Sequence, residues 1–169
     1  MHRAILIAVS LCVLCAGTAR SQEGWEGEFT ITSSWNSLAV DVPEGGSAEG
    51  LAIIQWNLHG RDAQKWRVEA VDAARGWYKI VNASTGKALD IRDASKEDRA
   101  ILVQSECRDA KSQHWRIDKQ SDGSYKILSR WSGKAIDIPF GSQEPGTTLE
   151  LCEDNNQPNQ RWVFRRVAE

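Results

Sequence analysis

The stretch Gln64-Lys65-Trp66 decides the fold, because it returns as Gln113-His114-Trp115 and again as Gln160-Arg161-Trp162. The copies lie 49 and then 47 residues apart. A second marker precedes each glutamine by 23 residues, and it consists of Asp41, Asp90 and Asp137. Two markers that keep one offset in three copies indicate an internal three-fold repeat.

Strand patterns fill the repeats, which span about residues 28–70, 77–119 and 124–167. Each copy opens with alternating apolar and polar residues, at 29–31, 78–80 and 125–127, which is the period of a half-buried strand. No stretch carries a sustained helical period, so the sequence predicts an all-β domain. Three copies are too few for a β-propeller, whereas three copies that close into one barrel leave no exposed sheet edge.

Three Gln-x-Trp tripeptides, each preceded by an Ala-apolar-Asp-[Ile/Val] stretch, resemble those of the ricin-B-type β-trefoil lectins. Such domains also serve as carbohydrate-binding modules attached to glycoside hydrolases. The resemblance implies a β-trefoil of twelve strands, with a six-stranded barrel closed at one end by three hairpins. It also implies up to three shallow sugar sites, one in each repeat.

The first residues have the features of a secretory signal peptide. A positive start at Arg3 precedes an apolar run over residues 4–16 and then small residues, so that cleavage is expected after Ala19 or Ser21. The run is shorter than the roughly 20 residues that a membrane-spanning helix needs. We therefore predict a leader at residues 1–21, a single domain at 22–169, and a secreted location, extracellular or periplasmic.

Charge and cysteine content narrow the function further. The formal net charge is −2 and no basic run occurs, which argues against nucleic acid as a partner and against insertion into a membrane. Of four cysteines, Cys107 and Cys152 remain after the leader, and whether they pair is left open. The sequon at Asn82 has meaning only in a eukaryotic source.

The repeated tryptophans are predicted to be core residues, because three large rings recur with three-fold symmetry at strand starts. Each repeated glutamine is expected to hydrogen-bond backbone groups beside it. Trp25 and Trp77 are interpreted as packing residues. In contrast, Trp35 and Trp131 lie in turns among polar residues, where exposure would indicate contact with a ligand or partner.

The resemblance also implies which residues bind sugar: the marker aspartate, an aromatic ring about eight residues before the glutamine, and an asparagine directly before it. The first repeat is the best candidate, because it has Asp41, Trp56 and Gln64. Ala63 stands at its asparagine position, and His59 and Asp62 are the candidate substitutes. The third repeat supplies Asp137, Asn159 and Gln160, but Cys152 stands at the ring position. The second repeat retains Asp90 but has Ser105 and Ser112 at the other two places. Each aspartate has an alternative role in its own turn.

No catalytic constellation is visible, because only His59 and His114 follow the leader and no cluster has metal-ligand spacing. We expect a monomeric, non-enzymatic lectin that needs no cofactor or metal and binds a glycan, a polysaccharide or a glycoprotein. The alternative is a β-trefoil that binds a protein partner as an inhibitor or adaptor, its sugar sites lost.

Overall fold

The computed structural model describes residues 24–25 and 27–168, so the predicted leader lies outside the described residues. The described residues form twelve strands and no α-helix. The strands are β1 (Glu28–Ser33), β2 (Ala39–Asp41), β3 (Ile54–Trp56), β4 (Trp66–Asp72), β5 (Trp77–Asn82), β6 (Ala88–Ile91), β7 (Leu102–Ser105), β8 (Trp115–Lys119), β9 (Tyr125–Ser129), β10 (Ala135–Asp137), β11 (Glu150–Cys152) and β12 (Trp162–Arg166). No helix within 24–25 and 27–168 is both long and apolar enough to cross a membrane.

Six strands close into a barrel. β1 pairs with β12 and β4, β5 pairs with β4 and β8, and β9 pairs with β8 and β12, all antiparallel. The remaining strands form the hairpins β2–β3, β6–β7 and β10–β11. Isolated bridges join these hairpins to one another over one end of the barrel. This architecture is the β-trefoil that the repeat predicts, with four strands from each copy.

The three repeated tryptophans are fully buried, so their assignment to the core is confirmed. Each indole N–H donates to the carbonyl oxygen of the residue just before a marker aspartate: Val40, Leu89 and Ile136, at 3.1, 3.1 and 3.3 Å. This bond fixes the fourth strand of a repeat against its second strand. It explains physically why the two sequence markers keep one offset.

Trp25 lies at the barrel end opposite the hairpins and packs there, as expected. Its ring centroid lies 5.4 Å from that of Phe29, 6.2 Å from that of Tyr78, 5.7 Å from that of Tyr125 and 5.0 Å from that of Phe164. All four contacts are edge-to-face, the favoured arrangement for aromatic pairs. Residues from all three repeats therefore meet at one tryptophan that precedes the first strand.

Two questions that the sequence leaves open are answered by burial and contacts. Cys107 and Cys152 are both free thiols. Asn82 is fully buried, and its Nδ2 donates to the carbonyl oxygens of Ala63 and Lys65 at 3.1 and 3.3 Å. The folded protein therefore does not present the sequon amide for glycosylation.

Candidate functional site

The hairpins place the marker aspartate and the ring position on one face. Asp41 lies opposite Ile54 in the β2–β3 pair, and Ala39 lies opposite Trp56. Because side chains alternate along a strand, Asp41 and Trp56 are diagonal neighbours on the same face. The small Ala39 leaves room for the large ring across from it. The register is the same in the other two hairpins.

The repeated glutamines hold these aspartates from beneath. Gln64 Nε2 donates to Asp41 Oδ2 at 2.6 Å and to the Asn57 carbonyl oxygen at 2.9 Å, while its Oε1 accepts from the His59 backbone N–H at 2.9 Å. Gln160 bonds the Glu153 carbonyl oxygen and the Asn155 backbone N–H in the same manner. Both glutamines are fully buried, so their side chains support the aspartates from inside the fold.

His59 completes the support of Asp41 in the first repeat. Its Nδ1 accepts a hydrogen bond from the Arg61 backbone N–H at 3.1 Å, so the hydrogen-bond network assigns the neutral ring's hydrogen to Nε2. Nε2 lies 3.2 Å from Asp41 Oδ2. Asn159 makes the corresponding contact in the third repeat, where its Nδ2 donates to Asp137 Oδ2 at 2.9 Å. The histidine thus does for Asp41 what the asparagine does for Asp137.

Both internal donors of Asp41 meet the same oxygen. Among residues 24–25 and 27–168, none donates a hydrogen bond to Asp41 Oδ1. Desolvation by burial raises the pKa of Asp41, and the hydrogen bonds from Gln64 and His59 oppose that rise. The result is an oriented carboxylate with one oxygen left to accept from a ligand.

Trp56 stands beside this carboxylate as an exposed ring, with 41% of its surface accessible. A loop of the third repeat backs it. Gly146 has a φ of +91°, and a methyl group there would come 3.3 Å from Trp56 Cζ3. Only glycine fits this close approach in the left-handed region, which gives the ring a flat backing.

The third repeat sets Asp137 in a more acidic surrounding. Glu150 lies directly opposite Asp137 in the β10–β11 pair. Desolvation by burial, with a further contribution from the charge of Glu150, raises the pKa of Asp137 from 3.8 to about 6, against the hydrogen bonds from Gln160 and Asn159. Arg99 Nε lies 3.5 Å from Glu150 Oε2 and offsets part of this negative charge.

An open depression of about 540 Å³ lies over Asp137 and Asn159. Two aromatic rings line it, although the family's usual position for the aromatic residue holds Cys152 in this repeat. One ring is Phe140, which is 88% exposed in the turn just after Asp137; the other is Trp35 of the first repeat, 46% exposed. Trp35 was predicted to be exposed, but its place in the third repeat's site was not predicted, and Phe140 was missed. An aromatic residue three positions after the marker aspartate, where the other copies have Glu44 and Asp93, was the available signal.

In the second repeat, both carboxylate oxygens of the marker aspartate accept hydrogen bonds from within the protein. Asp90 Oδ1 accepts from the Ile91 backbone N–H at 2.7 Å, and Oδ2 accepts from Gln113 Nε2 at 2.9 Å. In the other repeats the corresponding backbone N–H groups, of Val42 and Ile138, bond carbonyl oxygens instead. Both oxygens of Asp90 therefore have internal partners, which is the turn role that the sequence left open for these aspartates.

Trp131 differs from the expectation of exposure. It is only partly exposed and packs against the core, and its indole N–H donates to the Ala94 carbonyl oxygen at 2.6 Å. The Lys96 ammonium group lies 3.9 Å from the ring centroid, within the range of a cation–π contact. The loop of the second repeat thus occupies the face that Trp35 leaves open.

Metal-ligand geometry is not found in the described part of the chain, where no three His, Cys, Asp or Glu side chains gather around one point. The chemistry of the first and third sites is that of oriented hydrogen-bond acceptors beside aromatic rings.

The sequence matches a family model described as "Ricin-type beta-trefoil lectin domain-like" over residues 18–76 and 62–152. The chain belongs to this family. No curated protein is similar enough in sequence to count as a match.

Solved structures with this fold include a designed three-fold symmetric protein, ThreeFoil, at 31% identity and a TM-score of 0.81, which covers 84% of this chain and 100% of its own. An exo-β-1,3-galactanase from Clostridium thermocellum is 34% identical, with a TM-score of 0.80 over 84% of this chain. This chain spans only 30% of that enzyme. A ricin B-like lectin from Macrolepiota procera, solved with lactose, shares the fold at 20% identity and a TM-score of 0.70, covering 83% of this chain and 95% of its own.

Proposed function

We propose that this protein is a secreted, non-enzymatic lectin whose principal sugar site lies in the first repeat. Asp41 and Trp56 make the contacts, and His59 and Gln64 hold Asp41 in place. The observation that carries the proposal is the free Oδ1 of Asp41 next to an exposed ring, with both internal donors on Oδ2. Asp137 and Asn159, supported by Gln160, form the second contact point.

The geometry suits a pyranose because such a ring has two different surfaces. Its hydroxyl groups donate well to a charged acceptor, and its apolar C–H face lies favourably on an aromatic ring. Asp41 and Trp56 project from the same hairpin face, so they can engage one sugar from both sides. Since Gln64 and His59 already fix the carboxylate, little side-chain freedom is lost on binding.

The affinity for a single sugar should be weak. The site is shallow, and each hydrogen bond to ligand replaces one to water with small net gain. We expect a Kd on the order of millimolar for a monosaccharide, equivalent to about −4 kcal/mol. A glycan that reaches the first and third repeats together would be held more tightly, by roughly 10²-fold when the geometry allows both contacts.

Proteins of the same fold support the class of ligand. The Macrolepiota procera lectin is described in complex with lactose, and the C-half of an earthworm R-type lectin in complex with GalNAc. These two are 20% and 19% identical to this chain, so they support carbohydrate as the ligand class and leave the particular sugar to experiment.

A glycan array with matched variants tests the proposal. The wild-type domain should bind a defined set of glycans, and Trp56→Ala should remove most of that binding while the thermal unfolding curve stays two-state. Leu58→Ala is the control, because Leu58 is also an exposed apolar residue just after the same strand, at 47%. It should bind as the wild type does.

Two results would count against the proposal. One is a wild-type domain that retains no glycan at all; the other is a partner protein that is captured equally well before and after enzymatic removal of its glycans. The second result would establish the protein-binding alternative. Secretion is tested separately by sequencing the amino terminus of exported protein, which should begin directly after Ala19 or Ser21.

A further inference from the structure

Phe140 occupies a position that is unfavourable in two ways. It has a φ of +53°, a region that bulky side chains rarely enter, and it is 88% exposed. Glu44 and Asp93, which occupy the equivalent turns of the first and second repeats, also have φ of 55°, but their side chains are polar. Neither burial nor turn chemistry therefore explains a phenylalanine here. Strained residues of this kind cluster at ligand sites.

The ring of Phe140 is held in place from the neighbouring repeat. The Arg99 guanidinium group lies 4.4 Å from its centroid, and Arg99 also reaches Glu150 at 3.5 Å. The Arg99 backbone N–H donates to the Leu151 carbonyl oxygen at 2.7 Å, which ties its loop to β11. A positioned ring presents its surface to a ligand without first being ordered.

Trp35 supplies a second positioned ring on the same depression. Its indole N–H donates to the Gly141 carbonyl oxygen at 2.9 Å, directly beside Phe140 in the turn. Asn36, the next residue, donates to the Ser142 carbonyl oxygen at 3.0 Å. The first-repeat turn is thus fastened to the third-repeat turn, and both rings line one depression with Asp137 and Asn159.

We propose that the third-repeat depression binds a neutral oligosaccharide of at least two residues, one sugar on Asp137 and Asn159 and the adjoining one against Phe140 and Trp35. This inference rests on the proposed lectin function and adds to it a requirement for chain length. The rings replace the aromatic residue that Cys152 displaces, but they come from a turn and from another repeat. The charges favour a neutral chain, since Asp137 and Glu150 face the ligand and Arg99 is already engaged with Glu150.

Each ring has a matched residue in another repeat. Asp93 of the second repeat stands at the place of Phe140, and Trp131 of the third repeat stands at the place of Trp35 but lies beneath Lys96. The test variants are Phe140→Asn and Trp35→Ser; asparagine tolerates the left-handed backbone, and serine is the residue at the corresponding second-repeat position, Ser84. The control variants are Asp93→Asn and Trp131→Ser.

The experiment is isothermal titration in a Trp56→Ala background, which silences the first repeat. The probes are galactose, β-1,3-linked galactobiose and galactotriose, together with the same length series of any other neutral sugar that the wild type retains on the array. The disaccharide should bind more tightly than the monosaccharide by about tenfold or more. Phe140→Asn and Trp35→Ser should each abolish that advantage and leave the weak monosaccharide signal, whereas the two control variants should keep it.

The outcomes separate this inference from the proposed function. If the wild type binds glycans but the Trp56→Ala background binds none, the lectin proposal stands and the third-repeat site is wrong. Equal affinity for one and two sugars, or a chain-length effect that survives Phe140→Asn, would overturn it in the same way. Preference for a uronic-acid or sialylated chain would contradict the charge argument. If the wild type bound no glycan, both the lectin proposal and the third-repeat oligosaccharide site would be wrong.

Discussion

Replacing Asp137 by asparagine should make the protein more stable at neutral pH. Asp137 is buried opposite Glu150, and its pKa is raised from 3.8 to about 6. In the folded state the carboxyl group therefore binds its proton more tightly than in the unfolded state. The wild type loses stability as pH rises through this window, because only the unfolded chain ionises freely there. Asparagine carries no charge, so it avoids that loss.

The size of the effect follows from the shift. A shift of about two pKa units corresponds to about 3 kcal/mol at most, at about 1.4 kcal/mol for each unit. The depression is open to water, which screens the charge, so we expect a gain of about 1–2 kcal/mol in the free energy of unfolding at pH 7. The asparagine oxygen can still accept from Asn159 Nδ2, as Asp137 Oδ2 does at 2.9 Å.

Urea denaturation of wild type and Asp137→Asn, at pH 7 and again at pH 3.5, measures this difference. The gain should be present at pH 7 and should nearly vanish at pH 3.5, where the wild-type carboxyl group is mostly protonated in both states. Asp90→Asn is the matched control. Both Asp90 oxygens accept internal hydrogen bonds, so its amide would face the Ile91 N–H and should cost about 1–3 kcal/mol. A destabilised Asp137→Asn at pH 7, or a difference that does not change with pH, would refute the reasoning.

Three further predictions concern the core and the absence of a metal requirement. Replacing any one of the buried tryptophans with alanine should cost about 3–5 kcal/mol through the cavity left behind, as measured by chemical denaturation; the residues are Trp66, Trp115 and Trp162. A variant that unfolds normally but has lost its ligand would assign that ring to binding. Trp25→Ala should lower the melting temperature without changing glycan affinity, because the rings that Trp25 contacts lie at the barrel end opposite the hairpins. Glycan binding should persist in EDTA. If EDTA abolished binding and added calcium restored it, a cation would have to lie among the carboxylates.

The repeat made the fold predictable, because its two markers are in direct contact. Gln64 and Gln113 each bond the aspartate 23 residues before them, and all three repeated tryptophans bond the residue just ahead of the marker aspartate. Strand ends are less predictable: β3 begins at Ile54, and Ala52 just before it makes only an isolated bridge to Val103. That residue pairs with another repeat, a contact that no local pattern encodes.

The candidate sites were predictable only within single repeats. Asp41, Trp56 and His59 lie close in sequence, and the structure brings them together as the resemblance to the lectin family implies. The third site depends on Trp35, which is 102 residues from Asp137 along the chain and reaches it only because the barrel closes. The free oxygen of Asp41 and the engaged oxygens of Asp90 likewise depend on whether a backbone N–H meets the carboxylate. The Ala-apolar-Asp-[Ile/Val] stretch that all three aspartates share does not encode that difference.

Nuclear magnetic resonance of the tryptophan indole N–H groups tests the location of the sugar site most directly. The core indoles donate to backbone carbonyl oxygens and are inaccessible, whereas Trp56 is exposed beside Asp41. Titration with a glycan that the array selects should shift the Trp56 indole signal progressively and saturably, while the signals of Trp66, Trp115 and Trp162 stay in place. A glycan that binds but leaves the Trp56 signal unmoved would contradict the assignment of the principal site to the first repeat.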